Sequence, residues 1–142
     1  MDFSKILVTV SGTKADEDAI KLACSLAKKN KGKIYVVYVI TVKRALPLDA
    51  EIEAEIVKGE EILDHIESIA EEQDCEVETD LLQSREVAPT IVDEAVERDA
   101  DLILMGVTYK RHFGQFSMGD VVPYVLKNAP CRVMLYHEPL NE

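Results

Sequence analysis

Four short runs of bulky apolar residues decide what this chain can become: KILVTV at 5–10, KIYVVYVI at 33–40, DLILM at 101–105 and CRVMLY at 131–136. They are short, rich in β-branched and aliphatic residues, and in places almost unbroken by polar ones. That is the pattern of strands covered on both faces, as in a parallel sheet. A further run, CEVETDLL at 75–82, alternates early, so it predicts a strand with one partly exposed face at a sheet edge.

Segments of helical period separate the runs. Residues 14–29 place Ala15, Ala19, Ile20, Ala23, Leu26 and Ala27 on one face. Thr13 is expected to cap this helix, Asp16 to sit in its first turn, and Asn30 and Gly32 to end it. Ile52, Ile56, Leu63, Ile66 and Ala70 mark an acidic helix after the loop TVKRALPLDA. Gly59 inside it costs about 1 kcal/mol against alanine, which predicts a later start or a bend. A third helix is predicted at 87–98, with Pro89 in its first turn and Ile91, Val92, Ala95 and Val96 inward. A fourth is predicted at 119–128, and Pro130 breaks the chain before the last strand.

Five strands therefore alternate with four helices, which implies a three-layer, doubly wound parallel sheet with right-handed crossovers. At 142 residues the chain reads as one domain, 1–142. Sheets of this kind bind ligands beyond the carboxyl ends of their strands, where strand order reverses. Strands 1 and 4 should flank that point, followed by residues 11–13 and 106–118. The second of these, within GVTYKRHFGQFSMGD, is glycine-punctuated and basic.

Charge narrows the partners. Sixteen Lys and Arg stand against 27 Asp and Glu, a net charge of −11, which repels nucleic acid and anionic membranes. No membrane span or leader peptide is legible, and the odd, widely spaced Cys24, Cys75 and Cys131 suggest neither a disulfide framework nor a zinc site. A reducing, cytoplasmic setting follows as an expectation. No GxxxxGK[ST], GxSxG or HExxH occurs. His65, beside Asp64 and Glu67, reads as part of a solvated helix face, and no metal site is expected. Cys75 lies between Asp74 and Glu76, which disfavour a thiolate and argue against a redox role.

Nearly the whole chain resembles the universal stress protein family. KILVTVSGTKADEDAIKLACSLA is similar to its opening strand and helix, IYVVYVI to its second strand, and DLILMG, a long loop and GDVVPYVLKNAPCRVMLY to its closing half. The resemblance implies an adenine nucleotide alpha hydrolase-like fold, with sheet order 3-2-1-4-5, and a homodimer. The mate would pair along the last strand, through Arg132, Val133, Met134, Leu135 and Tyr136. It also implies a role in stress adaptation.

Family members that bind ATP share the loop pattern G-x2-G-x9-G-[ST]. Here Gly106 and Gly119 match, whereas Tyr109 replaces the second glycine and Asp120 the Ser/Thr. Ser11 stands where the binders usually carry an aspartate after the first strand. Tyr109 disfavours the positive φ that glycine allows. Asp120, in the first turn of a helix, would gain about 0.3–1 kcal/mol from its free N–H groups and act as a built-in anion. At ~4 Å it would repel a phosphate by roughly 1 kcal/mol in water and about 4 at an intermediate dielectric.

The leading expectation is a non-enzymatic dimer with a degraded nucleotide pocket, working through an unknown protein partner and needing no cofactor. The alternative is a switch binding ATP or AMP, its pocket formed by Val10, Ser11, Val39, Gly106, Lys110, Arg111, Gly119 and Asp120. In that reading Lys110, Arg111 and His112 would grip phosphate. A slow ATPase is the weakest reading, because no residue is placed as a base.

Overall fold

The computed structural model of the chain describes residues 2–108, 110–112, 115–117 and 119–138. β1 (Lys5–Thr9), α1 (Ala15–Lys28), β2 (Lys33–Thr41), α2 (Glu53–Glu72), β3 (Glu78–Ser84), α3 (Val87–Glu97) and β4 (Leu102–Thr108) follow one another. A hairpin of β5 (Lys110–His112) and β6 (Gln115–Ser117) comes next, then α4 (Val121–Asn128) and β7 (Arg132–Glu138). The five long strands form one parallel sheet in the order β3-β2-β1-β4-β7, the expected 3-2-1-4-5.

The continuous apolar runs are explained by burial on both sides. Within β1, Ile6, Leu7 and Val8 have no exposed surface. Successive side chains point to opposite faces. Ile6 and Val8 therefore join Ile20, Ile34, Val36, Ile66, Leu102 and Leu104 in the core under α1 and α2. Leu7 joins Val37, Ile91, Ile103, Met105 and Val125 in the core under α3 and α4. Burying one such side chain contributes about 1.5–3 kcal/mol. The start of β4 is tied to β1 by Asp101, whose carboxylate accepts the N–H and hydroxyl of Ser4, both at 2.8 Å. Burial works against that charge, but these bonds hold Asp101 below the usual carboxylate range.

Several boundaries differ from expectation. β3 begins at Glu78 rather than at residue 75, because the chain is still leaving α2: Asp74 has φ +54° and the Cys75 N–H donates to the Ala70 carbonyl at 2.9 Å. α2 neither starts late nor stops at Gly59. A Cβ there would lie 2.5 Å from Leu81 Cδ1 and 2.9 Å from Tyr38 Cδ1, so the missing side chain lets the helix press onto the sheet. Segment 106–118 is not simply a loop: Gly106 lies inside β4, and Lys110–His112 pairs antiparallel with Gln115–Ser117.

β3 is at the sheet edge, as its alternation predicts. Arg98 reinforces it by reaching Glu78 at 3.1 Å, Asp80, and Glu94 at 3.4 Å, with its guanidinium over the Tyr35 ring. β7 forms the other edge. Its Met134 and Tyr136 pack against the α1–α2 core, and its Val133 and Leu135 against the α3–α4 core. Among the described residues no helix is long and apolar enough to cross a membrane.

Candidate functional site

The chain leaves β1 for one face and β4 for the other, and a cleft of about 290 Å³ opens at the carboxyl ends of β1, β2 and β4. Thr9, Val10 and Ser11 form one wall, and Val37, Tyr38 and Val39 a second. Met105, Gly106 and Val107 line the third. Val87 and Ile91 of α3 and Val121 and Val122 of α4 complete it. The ladder continues one residue past β1, with the Val10 N–H donating to the Val37 carbonyl at 3.0 Å, which fixes Val10 at the rim. No charged side chain lies among these described walls.

Of the expected pocket residues, the structure brings Val10, Ser11, Val39 and Gly106 together. Gly119, at φ +72°, and Asp120 are exposed and are not among the described walls, although Val121 and Val122 just after them are. Lys110 and Arg111 fall in β5, and their side chains, like all of Tyr109, lie outside the described residues. The expected capping by Asp120 is absent. Its backbone is helical at φ −94° and ψ −20°, and its side chain makes no cap hydrogen bond to α4. A carboxylate at a residue already turned into the helix cannot easily face the N–H groups that follow it, which an extended N-cap allows. Gly106 also has a packing reason beyond loop chemistry: a Cβ there would lie 2.8 Å from the Ala15 carbonyl oxygen.

The internal anion belongs to α1 instead. Asp16 is only 1% exposed. Its Oδ2 accepts the N–H groups of Gly12 at 2.7 Å, Thr13 at 3.0 Å and Ser11 at 3.1 Å. Gly12 reaches this arrangement at φ +90°, a region open to glycine. Burial pushes the Asp16 carboxyl above its ordinary value, against the pull of the three N–H donors. Thr13 does not cap α1 as expected: Lys14 holds the N-cap position without a side-chain bond, and the buried Thr13 hydroxyl makes no hydrogen bond among the described residues. The signal for Asp16 was present in the sequence, since an acidic residue just inside a helix start often reaches back to amides before it.

A second cleft of about 490 Å³ lies on the other side of the Ser11–Lys14 turn, between α1 and the middle of α2. There His65 Nε2 meets Glu17 Oε1 at 2.7 Å, so His65 joins two helices rather than only facing solvent. Among the described residues no group of three or more His, Cys, Asp or Glu side chains is placed to hold a metal. The sequence missed Val37, Tyr38, Val87, Ile91 and Val121 as cleft residues. Each reads as ordinary core, and only the strand order shows which core positions lie beyond a strand end.

Residues 2–137 match the sequence model of the Universal stress protein family. The chain belongs to that family. A universal stress protein of Methanocaldococcus jannaschii is 32% identical over 146 residues, covering 99% of this chain and 85% of that one. The structure of a universal stress protein from Archaeoglobus fulgidus is similar at a TM-score of 0.78 and 27% identity, covering 93% of this chain and 97% of that one. A universal stress protein from the same organism in complex with dAMP is similar at a TM-score of 0.75 and 25% identity, covering 95% and 98%. The resemblance read along nearly the whole chain is thus met by the family match and by the fold.

Proposed function

We propose that this universal stress protein is a non-catalytic regulator that holds an adenine nucleoside or mononucleotide in the cleft beyond β1, β2 and β4 and answers to it by engaging a protein partner. The observation that carries this reading is the cleft, whose described walls are mostly aliphatic and carry no charged side chain. Its volume of about 290 Å³ is at the small end of ligand pockets, which suits a flat heterocycle with its sugar. The dAMP complex of the relative at 25% identity supports the same ligand class.

Two features weigh against ATP as the preferred ligand. The three N–H groups after β1 are already bound by Asp16. A triphosphate would also add its charge to a protein of net charge −11. Among the cleft's described walls the polar side chains are Thr9, Ser11 and Tyr38, and none is paired with a base that would activate water. The reading includes a homodimer joined along β7, an edge of the sheet, through Arg132–Tyr136. It also includes a cytoplasmic setting, which the three free cysteines fit.

Calorimetry with adenosine, AMP, dAMP and Mg-ATP tests the ligand, with light scattering for the mass and phosphate release for turnover. Binding of AMP or dAMP at least tenfold tighter than ATP, by a dimer releasing no phosphate, is the expected result. Absence of heat with all four at millimolar concentration would overturn the ligand reading and leave regulation through a partner alone.

A further inference from the structure

The second cleft, on the α1–α2 side of the Ser11–Lys14 turn, carries chemistry that the nucleotide reading leaves unused. Lys58, Glu61, Ile62 and His65 recur along α2 at helical spacing and line the cleft from one face of that helix. Lys14, Asp16 and Glu17 line it from the start of α1. The floor closes where α2 meets the turn. A Cβ on Gly12 would lie 2.9 Å from Ile62 Cδ1, so the bare glycine leaves room for the Ile62 side chain. Ile66, buried beneath, extends this apolar floor. Two of the three carboxylates here are already engaged. Asp16 takes the N–H groups of Ser11, Gly12 and Thr13, and Glu17 meets His65 Nε2 at 2.7 Å across the groove. The side chains of Lys14, Lys58 and Glu61 make no ion pair or hydrogen bond among the described residues. Two cations and one anion therefore remain over an apolar floor. The Thr13 hydroxyl, in the same wall, is also without a partner among the described residues.

We propose that this groove is a second ligand site, which takes a small zwitterion with an aliphatic body, the chemistry of a free aliphatic α-amino acid. The ligand's carboxylate goes to the Lys14 and Lys58 ammonium groups, its ammonium to Glu61, and its side chain onto Ile62. One charge alone fits less well. An anion without an ammonium leaves Glu61 facing it, and a cation without a carboxylate meets both lysines, and like charges brought together cost affinity. Lys14, Lys58 and Glu61 are exposed, so each ionic contact contributes a few-fold in affinity rather than orders of magnitude. The cleft volume of about 490 Å³ lies within the range of small-molecule pockets. The site stands apart from the nucleotide reading. None of Lys14, Lys58 and Glu61 lines the first cleft, and among the described residues Ser11 alone lines both.

Calorimetry on the full-length protein, with no nucleotide present, compares L-leucine with leucine amide, which lacks the carboxylate, and with N-acetyl-leucine, which lacks the ammonium. Leucine is expected to bind in the millimolar range, about fivefold or more tighter than either blocked form. Lys58→Gln should weaken leucine and N-acetyl-leucine but not leucine amide. Glu61→Gln should weaken leucine and leucine amide but not N-acetyl-leucine. Both substitutions fall at exposed positions of α2, so Tm should stay near that of the parent. Amide NMR shifts on adding leucine should centre on Gly12, Glu61 and His65. Absence of heat with millimolar leucine, equal binding of the three compounds, inorganic phosphate binding tighter than leucine, or shifts centred on Val39 and Val107 would each overturn the proposal. Failure of AMP to bind would sink the nucleotide reading alone, since every one of these readouts is taken without nucleotide.

Discussion

The Oδ2 atom of Asp16 lies 2.7 Å from the amide nitrogen of Gly12, at the centre of three N–H groups that converge on one oxygen. A single acceptor atom thus shapes the turn that presents Ser11 to the cleft.

That convergence makes Asp16→Asn informative, because the amide oxygen can receive the same three donors without the charge. Burial raises the Asp16 carboxyl, so its charge opposes folding. In the wild type the contribution is fully present below about 3.9, the unfolded value, and is lost as pH rises through the raised folded value. The variant lacks this loss. Urea unfolding of both proteins from acid to neutral pH should show the difference moving in favour of Asp16→Asn as pH rises. A difference independent of pH would refute the account. Asp16→Ala, which strands the donors, should cost about 1–3 kcal/mol.

Val39 tests the cleft with little effect on the core, since it is half-buried and lines the cleft wall. Val39→Phe should fill the space, lowering AMP affinity tenfold or more, about 1.4 kcal/mol, with Tm nearly unchanged. Unaltered affinity by calorimetry would place the ligand elsewhere.

Gly106→Ala puts a methyl group 2.8 Å from the Ala15 carbonyl oxygen, a backbone atom that cannot swing aside. The expected cost is about 1–3 kcal/mol by urea unfolding, typical of overpacking. A neutral result would return this glycine to the role of a loop hinge.

Gly59→Ala reverses a familiar rule. On an exposed helix surface the change should stabilise by about 1 kcal/mol. Here the added Cβ would meet Leu81 Cδ1 at 2.5 Å, so a net loss of stability is expected. A higher Tm in the variant would mean that α2 can lift from the sheet without penalty.

The parts of the fold that were legible in the sequence are those written in local pattern. The apolar runs of β1, β2 and β4 report burial on both faces, and the alternation in β3 reports an edge. Val10, Ser11, Val39 and Gly106 were legible as cleft residues because topology locates strand ends. Contacts between distant segments were not. Gly59 looks like a helix defect until Leu81 and Tyr38 are placed over it, and Gly106 looks like a phosphate-loop glycine until Ala15 stands behind it. Asp120 was assigned as the internal anion from its place before a helix, a placement that says nothing of the backbone angle deciding where its side chain points. Asp16, one turn from Ser11, held the same kind of chemistry with the right geometry.

The contact between Gly106 and Ala15 joins two parts of the molecule that the chain keeps far apart. The floor of the cleft cannot move toward α1 without displacing the helix start whose next residue, Asp16, grips the preceding turn. Local opening should therefore be collective at this end of the sheet. Amide exchange at Gly12, Thr13, Gly106 and Val107 should follow one opening equilibrium, separate from that of the more exposed β3 edge.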